Sequence, residues 1–273
     1  GYVSSFDSDG FTVATTANDT YVNASGTTYV AWNWLSGGSG SSNTDGSITS
    51  TVSVNATAGF SIVSYTAENA VRTIGHGLGV APKFIIVKDR DATSNWAVYH
   101  ESMGNTKAIY LDLNLKTDTN SGYWNNTSPT STVFTVGTNT RTGGSTNDYI
   151  AYCFAEVEGY SKIGSYTGNG SSDGPFIYTG FRPAFILFKN YAGGSEQSWT
   201  ILDNTRDTYN AVQKTIYPDI PNAEDGTVSN VDFCANGFKL RNAWPNESGS
   251  DHIYVAFPEH PFADSGVSST TPR

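Results

Sequence analysis

The sequence predicts an all-β fold made of tandem antiparallel β-sandwich modules, jelly-roll-like, with long polar loops. Aromatic residues are plentiful, with 16 Tyr, 14 Phe and 6 Trp in 273 residues, and together with Val, Ile and Thr they favour strands. Charged residues make up only 15% of the chain, against about 25% in typical soluble domains. The polar surface is therefore expected to consist of Ser, Thr, Asn and Gly. Long segments of the chain also recur.

The recurring unit is the size of a small domain. The Ser-Tyr-Thr of residues 64–66 returns at 165–167, and the Gly-x-x-Pro turn and apolar run of residues 79–88 return at 180–189. Both offsets are 101, from 165 − 64 and from 180 − 79. A unit of this length is too long for a solenoid repeat and suits a module with its own core.

Later matches keep almost the same spacing. Trp96 matches Trp199 and Phe154 matches Phe257, each 103 residues apart (199 − 96 and 257 − 154). The two copies therefore differ by a two-residue insertion in a loop between these points. The match extends from the first strands of each copy to its end, so we expect both copies to have the same topology.

The start of the chain looks like the end of a third copy. Residues 10–13 (Gly-Phe-Thr-Val) correspond to 237–240, and residues 29–34 correspond to 253–257. No Gly-x-x-Pro half precedes them, so the chain is either a fragment of a longer protein, the preferred interpretation, or is completed by another segment or subunit. Strands are expected here, because an unpaired edge invites aggregation. Their apolar residues are Phe11, Val13, Val30, Trp32 and Trp34.

These matches predict the domain organisation. The predicted parts are a partial module (1–35), a linker with a connecting strand (36–58), β-sandwich repeat 1 (59–158), β-sandwich repeat 2 (159–262) and a C-terminal tail (263–273). Within the linker, residues 36–47 are rich in Gly and Ser, which is typical of a flexible connector. Residues 48–54 alternate apolar and polar side chains and predict a half-buried strand.

Two apolar runs, 84–87 and 185–188, follow the Gly-x-x-Pro turns and predict buried central strands. The alternation in 149–154 places every second side chain on one face. The core is therefore expected to contain one apolar set in each repeat. These sets are Phe84, Ile86, Ile150, Tyr152 and Phe154 in the first and Phe185, Leu187, Ile253, Val255 and Phe257 in the second.

Charge and cysteine content exclude several classes of partner. The net charge is −10 without a Lys/Arg cluster, which argues against nucleic acid. No apolar run approaches the roughly 20 residues of a membrane helix, so no membrane insertion is expected. Cys153 and Cys234 lie at non-equivalent positions and are predicted to be buried free thiols.

Catalytic and metal-binding motifs are weak. His76 lies in a Gly-His-Gly-Leu-Gly turn, where a hydrogen bond across the turn is the preferred interpretation and the glycines supply positive φ. No carboxylate pair recurs, and Asp203 is expected to make a local contact with an Arg of its own loop. Glu156 and Glu259 recur, which indicates a structural role, bonding backbone donors of the next turn. Neither a catalytic residue, nor a cofactor, nor a metal site is predicted, since calcium-binding spacing is absent.

Aromatic residues beside polar loops are the better functional lead. Exposed aromatic faces next to Asn and Asp can stack on sugar rings, so Trp96, Tyr123 and Trp124 are predicted to bind a ligand. Trp96 has a counterpart in Trp199, and a core role for both is the competing interpretation. Tyr123 and Trp124 have no counterpart, which favours an exposed or interfacial position.

A set of motifs resembles a known but uncharacterised module. They are Thr-Ile-Gly-His-Gly-Leu-Gly-Val-Ala-Pro (73–82), Tyr-Trp-Asn-Asn-Thr (123–127), Tyr-Ile-Ala-Tyr-Cys-Phe-Ala-Glu (149–156) and Gly-Tyr-Ser-Lys (159–162). The module recurs in tail-fibre and virion structural proteins of marine bacteriophages. The resemblance implies a β-rich, extracellular appendage on the virion surface and carries no known catalytic residues. Repeat 2 departs from it by lacking the His-Gly-Leu-Gly sequence.

The resemblance and the duplication together predict a non-enzymatic virion component, a phage fibre for host attachment. Its expected partners are further copies of itself, as a trimer or filament, other virion proteins, and a glycan or protein of the host cell surface. Two alternatives stay open. One is a glycan depolymerase fibre, and the other is an extracellular filament protein built from the same module.

Overall fold

The structure is a computed structural model that describes residues 2–14, 22–227 and 231–260. It divides into two compact units, Gly1–Leu35 and Ser36–Arg273. Within the described residues, the only helices are single 3-10 turns at Glu101–Met103 and Trp244–Asn246, and every other regular element is a strand. The all-β fold predicted from the sequence is confirmed.

The first unit is a β-hairpin followed by an irregular segment. Strands β1 (Tyr2–Phe6) and β2 (Phe11–Ala14) pair antiparallel, with Phe6 opposite Phe11. Phe11 and Val13 therefore lie in a strand, as predicted. Residues 22–35 form no strand, so the strand predicted around Val30, Trp32 and Trp34 was wrong.

The first repeat contains one large and one small sheet. Its strands are β3 (Ser41–Asn43), β4 (Ser50–Asn55), β5 (Phe60–Thr66), β6 (Arg72–Gly75), β7 (Phe84–Asp89), β8 (Ala97–His100), β9 (Lys107–Tyr110), β10 (Asp118–Thr119), β11 (Val133–Val136) and β12 (Asp148–Phe154). The large sheet has the order β10-β9-β8-β7-β12-β5-β4-β3, and the small sheet pairs β11 with β6.

The second repeat has the same two-sheet arrangement with fewer strands in the large sheet. Its strands are β13 (Lys162–Thr167), β14 (Phe176–Tyr178), β15 (Pro183–Ala192), β16 (Thr200–Asp203), β17 (Val231–Cys234), β18 (Gly237–Leu240) and β19 (Asp251–Pro258). One sheet has the order β13-β19-β15-β16 and the other β14-β18-β17.

Both repeats follow one topology. The central order β8-β7-β12-β5 of the first repeat recurs as β16-β15-β19-β13, and the pair β11-β6 recurs as β18-β14. All of these neighbouring strands are antiparallel. The expectation that the copies share a topology is confirmed, while their exact bounds stay a prediction.

The Gly/Ser-rich segment 36–47 is not simply a connector. Ser41–Asn43 forms the edge strand β3, which pairs with β4. A Cβ added at Gly37 would overlap the carbonyl group of Val54, and one at Gly40 would lie 2.7 Å from Thr51 Cγ2. The glycines are needed because the chain approaches the sheet closely, so the flexible connector predicted here was wrong at β3.

Each repeat has its core between its own two sheets. In the first repeat, Val63, Ile85, Val87 and Ala151 of the large sheet pack with residues of β6 and β11. In the second repeat the corresponding cluster contains Ile186, Phe188, Tyr254 and Ala256 from the large sheet. These residues alternate with the predicted ones, so the face that meets the small sheet was predicted wrongly in both repeats, although six of the ten residues predicted to be buried are buried.

The residues predicted to form the cores lie on the opposite face of the same large sheets, and that face is apolar as well. Phe84, Phe154, Phe185, Leu187, Ile253 and Val255 are buried there, whereas Ile86, Ile150, Tyr152 and Phe257 are half-buried. Side chains from the two faces meet, with ring centroids 6.1 Å apart between Phe154 and Phe257. Much of the predicted core is therefore contact between the repeats.

Polar groups also join the repeats. The His100 ring donates from Nε2 to the Tyr254 carbonyl at 3.3 Å, and the Trp199 indole donates to the Tyr110 carbonyl at 2.6 Å. The buried ammonium group of Lys189 donates to the Asn114 carbonyl at 2.8 Å. Three hydrogen bonds from buried side chains thus fix one repeat against the other.

Candidate functional site

A stacked aromatic pair lies on the outer face of the first large sheet. The rings of Trp96 and Tyr152 have centroids 6.4 Å apart with an interplanar angle of 21°. Tyr152 is opposite Ile62 on one side and Ile86 on the other. All four side chains are half-buried. We call Trp96, Tyr152, Ile62 and Ile86 the aromatic platform.

Backbone and carboxylate contacts hold Trp96 in place. Its backbone N–H donates to Asp112 Oδ1 at 3.0 Å, and its carbonyl accepts from Leu111 N at 3.0 Å. Asn95 donates to the other oxygen of Asp112 at 3.1 Å and accepts from Arg141 at 3.3 Å. The indole is therefore carried by an ordered turn, which reduces the entropy that a ligand contact would cost.

The counterpart Trp199 lies in other surroundings. It is fully buried, and its backbone N–H donates to Asp219 Oδ2 at 3.0 Å. The competing interpretation, a core role for both tryptophans, therefore fits Trp199, whereas Trp96 is only half-buried. Ligand binding at Trp96 stays a prediction. Tyr152 was missed as its neighbour because the alternation had placed it in the core.

Tyr123 and Trp124 are buried, with 0% and 2% of their surfaces exposed. The Tyr123 hydroxyl donates to Asp118 Oδ2 at 2.7 Å and bonds the hydroxyl of Tyr110. The Trp124 indole donates to the Lys107 carbonyl at 3.0 Å. The predicted exposure of these two residues was wrong, since their loop folds its aromatic side chains into the first core. Buried rings with satisfied polar atoms offer no face to a ligand.

Burial keeps three histidines neutral. His76 accepts from Leu78 N at 3.2 Å and donates to the Thr130 carbonyl at 3.2 Å, and burial lowers its pKa. The predicted hydrogen bond across the turn is confirmed, and Gly77 and Gly79 have φ of +72° and +76°. Burial also lowers the pKa of His100 and of His252 to about 4. Their rings bond backbone groups rather than facing a cleft.

The recurring glutamates have structural roles. Glu156 accepts from the backbone N–H of Ile163 at 3.2 Å and from Lys162 Nζ at 2.8 Å. Burial opposes ionisation of Glu156, but these hydrogen bonds outweigh it and the pKa is lowered. Glu259 pairs with Arg182 at 2.9 Å. The predicted bond from Glu156 to a following backbone donor is confirmed.

Asp203 makes the predicted local contact. Its Oδ2 accepts from Arg206 Nε at 2.6 Å, and its Oδ1 accepts from the backbone N–H groups of Thr205 and Arg206. Asp89 holds its own turn in the same way, accepting from the N–H groups of Asp91 and Ala92. These carboxylates are occupied by the protein itself.

The described residues contain no group of three or more His, Cys, Asp or Glu that could hold a metal ion. Cys153 is buried and Cys234 half-buried, and both are free. Among the same residues, no helix has the length and apolar character to cross a membrane.

The fold and the platform define a two-repeat β-sandwich protein with an aromatic surface on one sheet. The chain belongs to the family described as a domain of unknown function, DUF7483, whose model matches residues 1–261. One family model thus spans the hairpin and both repeats. Neither a curated protein nor a solved structure matches the chain.

Proposed function

We propose that this protein is a non-enzymatic structural component of a bacteriophage virion, a tail-fibre segment at the particle surface that attaches to a host-cell glycan. The motifs in 73–82, 123–127 and 149–156 support the phage assignment through their resemblance to fibre modules. The observation that supports the structural role is the joining of two sandwiches of shared topology.

The joined repeats suit a load-bearing segment. Apolar contact such as Phe154 with Phe257 is combined with hydrogen bonds from His100 and Trp199 to carbonyl groups of the other repeat. Interfaces that are buried and hydrogen-bonded resist relative domain motion. A fibre needs this stiffness to hold a binding surface away from the particle.

The aromatic platform supports glycan attachment. Trp96, whose backbone N–H is held by Asp112, stacks on Tyr152 and presents a flat apolar surface, and the polar Asn95 precedes it in the chain. Sugar rings have an apolar face that stacks on aromatic rings, and their hydroxyls need polar neighbours. One such site binds weakly, so the proposal includes a homo-oligomer, a trimer or filament, in which several sites act together.

The test is binding of the purified protein to host-cell polysaccharide and to intact host cells. W96A is expected to weaken binding roughly fivefold, since a stacked aromatic contact contributes about 1 kcal/mol. Y178A is the matched control, because Tyr178 is an exposed aromatic residue of the second repeat, 63% accessible. Equal binding by W96A and Y178A would contradict the platform.

Incubation with the same polysaccharide distinguishes a glycan depolymerase from a non-enzymatic fibre. Oligosaccharides released by the native protein, and lost on replacing one carboxylate, would contradict a non-enzymatic role. Mass spectrometry of purified phage particles tests the extracellular-filament alternative, because a fibre protein must be present in the virion in stoichiometric amount.

A further inference from the structure

The two repeats differ at one pair of matched positions at the end of the large sheet. In the first repeat, Tyr149 on β12 lies opposite Asp89 on β7. In the second, His252 on β19 lies opposite Asn190 on β15. The offsets are those of the sequence repeat, 252 − 149 = 103 and 190 − 89 = 101. A histidine and an amide thus replace a tyrosine and a carboxylate in one framework.

The surroundings of the pair are retained. Tyr65 stacks on Tyr149 with centroids 5.4 Å apart and an angle of 11°. Tyr166 stacks on His252 with centroids 4.8 Å apart and an angle of 0°. The hydroxyl groups of Tyr65 and Tyr166 each donate to a matched carbonyl, at 2.7 Å in both repeats. The imidazole therefore takes the place of a phenol but ends short of its hydroxyl group.

In the first repeat, the polar atoms of this pair have partners. The Tyr149 hydroxyl donates to the Thr140 carbonyl at 2.7 Å and bonds Ser145 Oγ at 2.8 Å. Asp89 accepts from two backbone N–H groups and from Asn147 Nδ2 at 3.0 Å. Nothing further is needed to satisfy hydrogen bonding there.

In the second repeat, two acceptors lack a donor. Asn190 Oδ1 and His252 Nε2 are buried without a hydrogen-bond partner among the described residues. The amide orientation is fixed, because Nδ2 of Asn190 donates to the carbonyls of Gly193 and Ser195 at 3.4 and 3.0 Å. The imidazole tautomer is fixed likewise, because Nδ1 must donate to the Ser250 carbonyl at 3.3 Å.

We infer that one bound water molecule bridges Asn190 Oδ1 and His252 Nε2, at the place that the Tyr149 hydroxyl takes in the first repeat. Side chains directly opposite in an antiparallel pair have Cβ atoms about 4.5–5.5 Å apart, which leaves both acceptors within reach of one water. The water donates one proton to each acceptor.

A third orphan atom completes the site. Thr200 Oγ1 is buried without a partner and lies on β16 opposite Phe188, diagonal to Asn190 on the same face. Its hydroxyl donates to the water oxygen, which gives about three hydrogen bonds, the usual number for a buried water. The three ligands are all neutral, so a buried cation would lack compensating charge.

A crystal structure of the whole chain tests the site directly. The expected result is a density peak about 2.7–3.2 Å from both Asn190 Oδ1 and His252 Nε2. Protein donors on both atoms with no peak between them would overturn the inference. So would a peak at about 2.0–2.1 Å from the imidazole nitrogen, the distance of a metal ion.

Two variants test it in solution. H252Y supplies the hydroxyl found in the first repeat, so it is expected to replace the water with an unfolding temperature at least equal to that of the native protein. H252F keeps an aromatic ring without a polar atom and is expected to melt about 2–4 °C lower than H252Y. Equal melting temperatures for the two variants would overturn the inference. If either variant fails to fold, the crystal structure of the native chain still decides.

Discussion

Trp96 and Trp199 hold the same position in the two repeats and differ in what covers them. The backbone N–H of each donates to an aspartate farther along the chain, Asp112 or Asp219, at 3.0 Å. The Trp199 ring is fully buried and bonds the Tyr110 carbonyl of the other repeat. Trp96 stays half-buried on the platform. Position in the repeat thus determines the backbone anchor, whereas the neighbouring repeat determines burial.

The largest expected effect on the free energy of unfolding comes from replacing the buried tryptophan, Trp199. W199A removes a fully buried indole and its hydrogen bond to Tyr110, so the free energy of unfolding is expected to fall by about 3–5 kcal/mol. W96A removes a half-buried ring and is expected to cost about 1 kcal/mol. Urea unfolding of both variants measures the difference. Equal losses would show that the two tryptophans are buried alike.

An intermediate effect concerns the ends of β8 and β16. His100 and Asp203 are the final residues of these matched strands, and each accepts from the backbone N–H two residues on. The His100 ring is fully buried. Burial is the largest cause and lowers the pKa of His100 to about 4. The hydrogen bond to the Tyr254 carbonyl opposes this shift, and the nearby Lys83 charge adds to it.

The unfolded chain has a histidine pKa of about 6.5, so it binds more protons than the folded chain between pH 4 and 6.5. Stability is therefore full above pH 6.5 and is lost as the pH falls through 4, by up to about 3 kcal/mol per histidine. His252 titrates in the same window. H100N is expected to remove about half of this slope in urea unfolding followed against pH. An unchanged slope would contradict the assignment.

The smallest expected effect sharpens the comparison at the surface. Thr66 donates to Asp148 at 2.6 Å, and Thr167 donates to Asp251 at 2.7 Å, at matched places in the two repeats. T66V and T167V are each expected to lower the free energy of unfolding by about 0.5–1 kcal/mol. Losses that differ by more than this range would show that the two repeats do not share the contact.

Comparison of the two copies was enough to predict that they share one topology. Matched segments such as 64–66 and 165–167 lie in corresponding strands of the two repeats. A loop insertion between such strands leaves the strand order of an antiparallel sheet unchanged. Local turn chemistry was also predictable. His76, with a glycine on each side, has few ways to bond except across its own turn.

The buried face of each sheet was not predictable from alternation. Phe84 and Ile85 are neighbours in β7 and are both buried, because the sheet is covered on both faces at this point. A period of two shows that faces alternate but not which face meets which neighbour. Because alternation does not show which face meets the small sheet, Tyr152 was predicted to lie in the core. Trp96 was therefore the only platform residue predicted to bind a ligand.

Absence of a repeat partner was a poor guide to exposure. Tyr123 and Trp124 have no counterpart in the second copy and are nevertheless buried. Four strands of the first large sheet, β3, β4, β9 and β10, have no counterpart among the described residues of the second repeat, and β9 and β10 come directly before Tyr123. The loop after them bonds to β9, because the Trp124 indole donates to the Lys107 carbonyl and the Tyr123 hydroxyl bonds the hydroxyl of Tyr110.

The contact between the large sheets of the two repeats limits how such a chain can evolve. Phe84, Phe154, Phe185 and Val255 are buried but belong to the core of neither copy, and Phe154 contacts Phe257 of the other copy. Deleting or shuffling a single copy would uncover an apolar surface, which invites aggregation. The joined pair, rather than either copy alone, is therefore the smallest unit of this chain that is expected to keep its apolar surface covered.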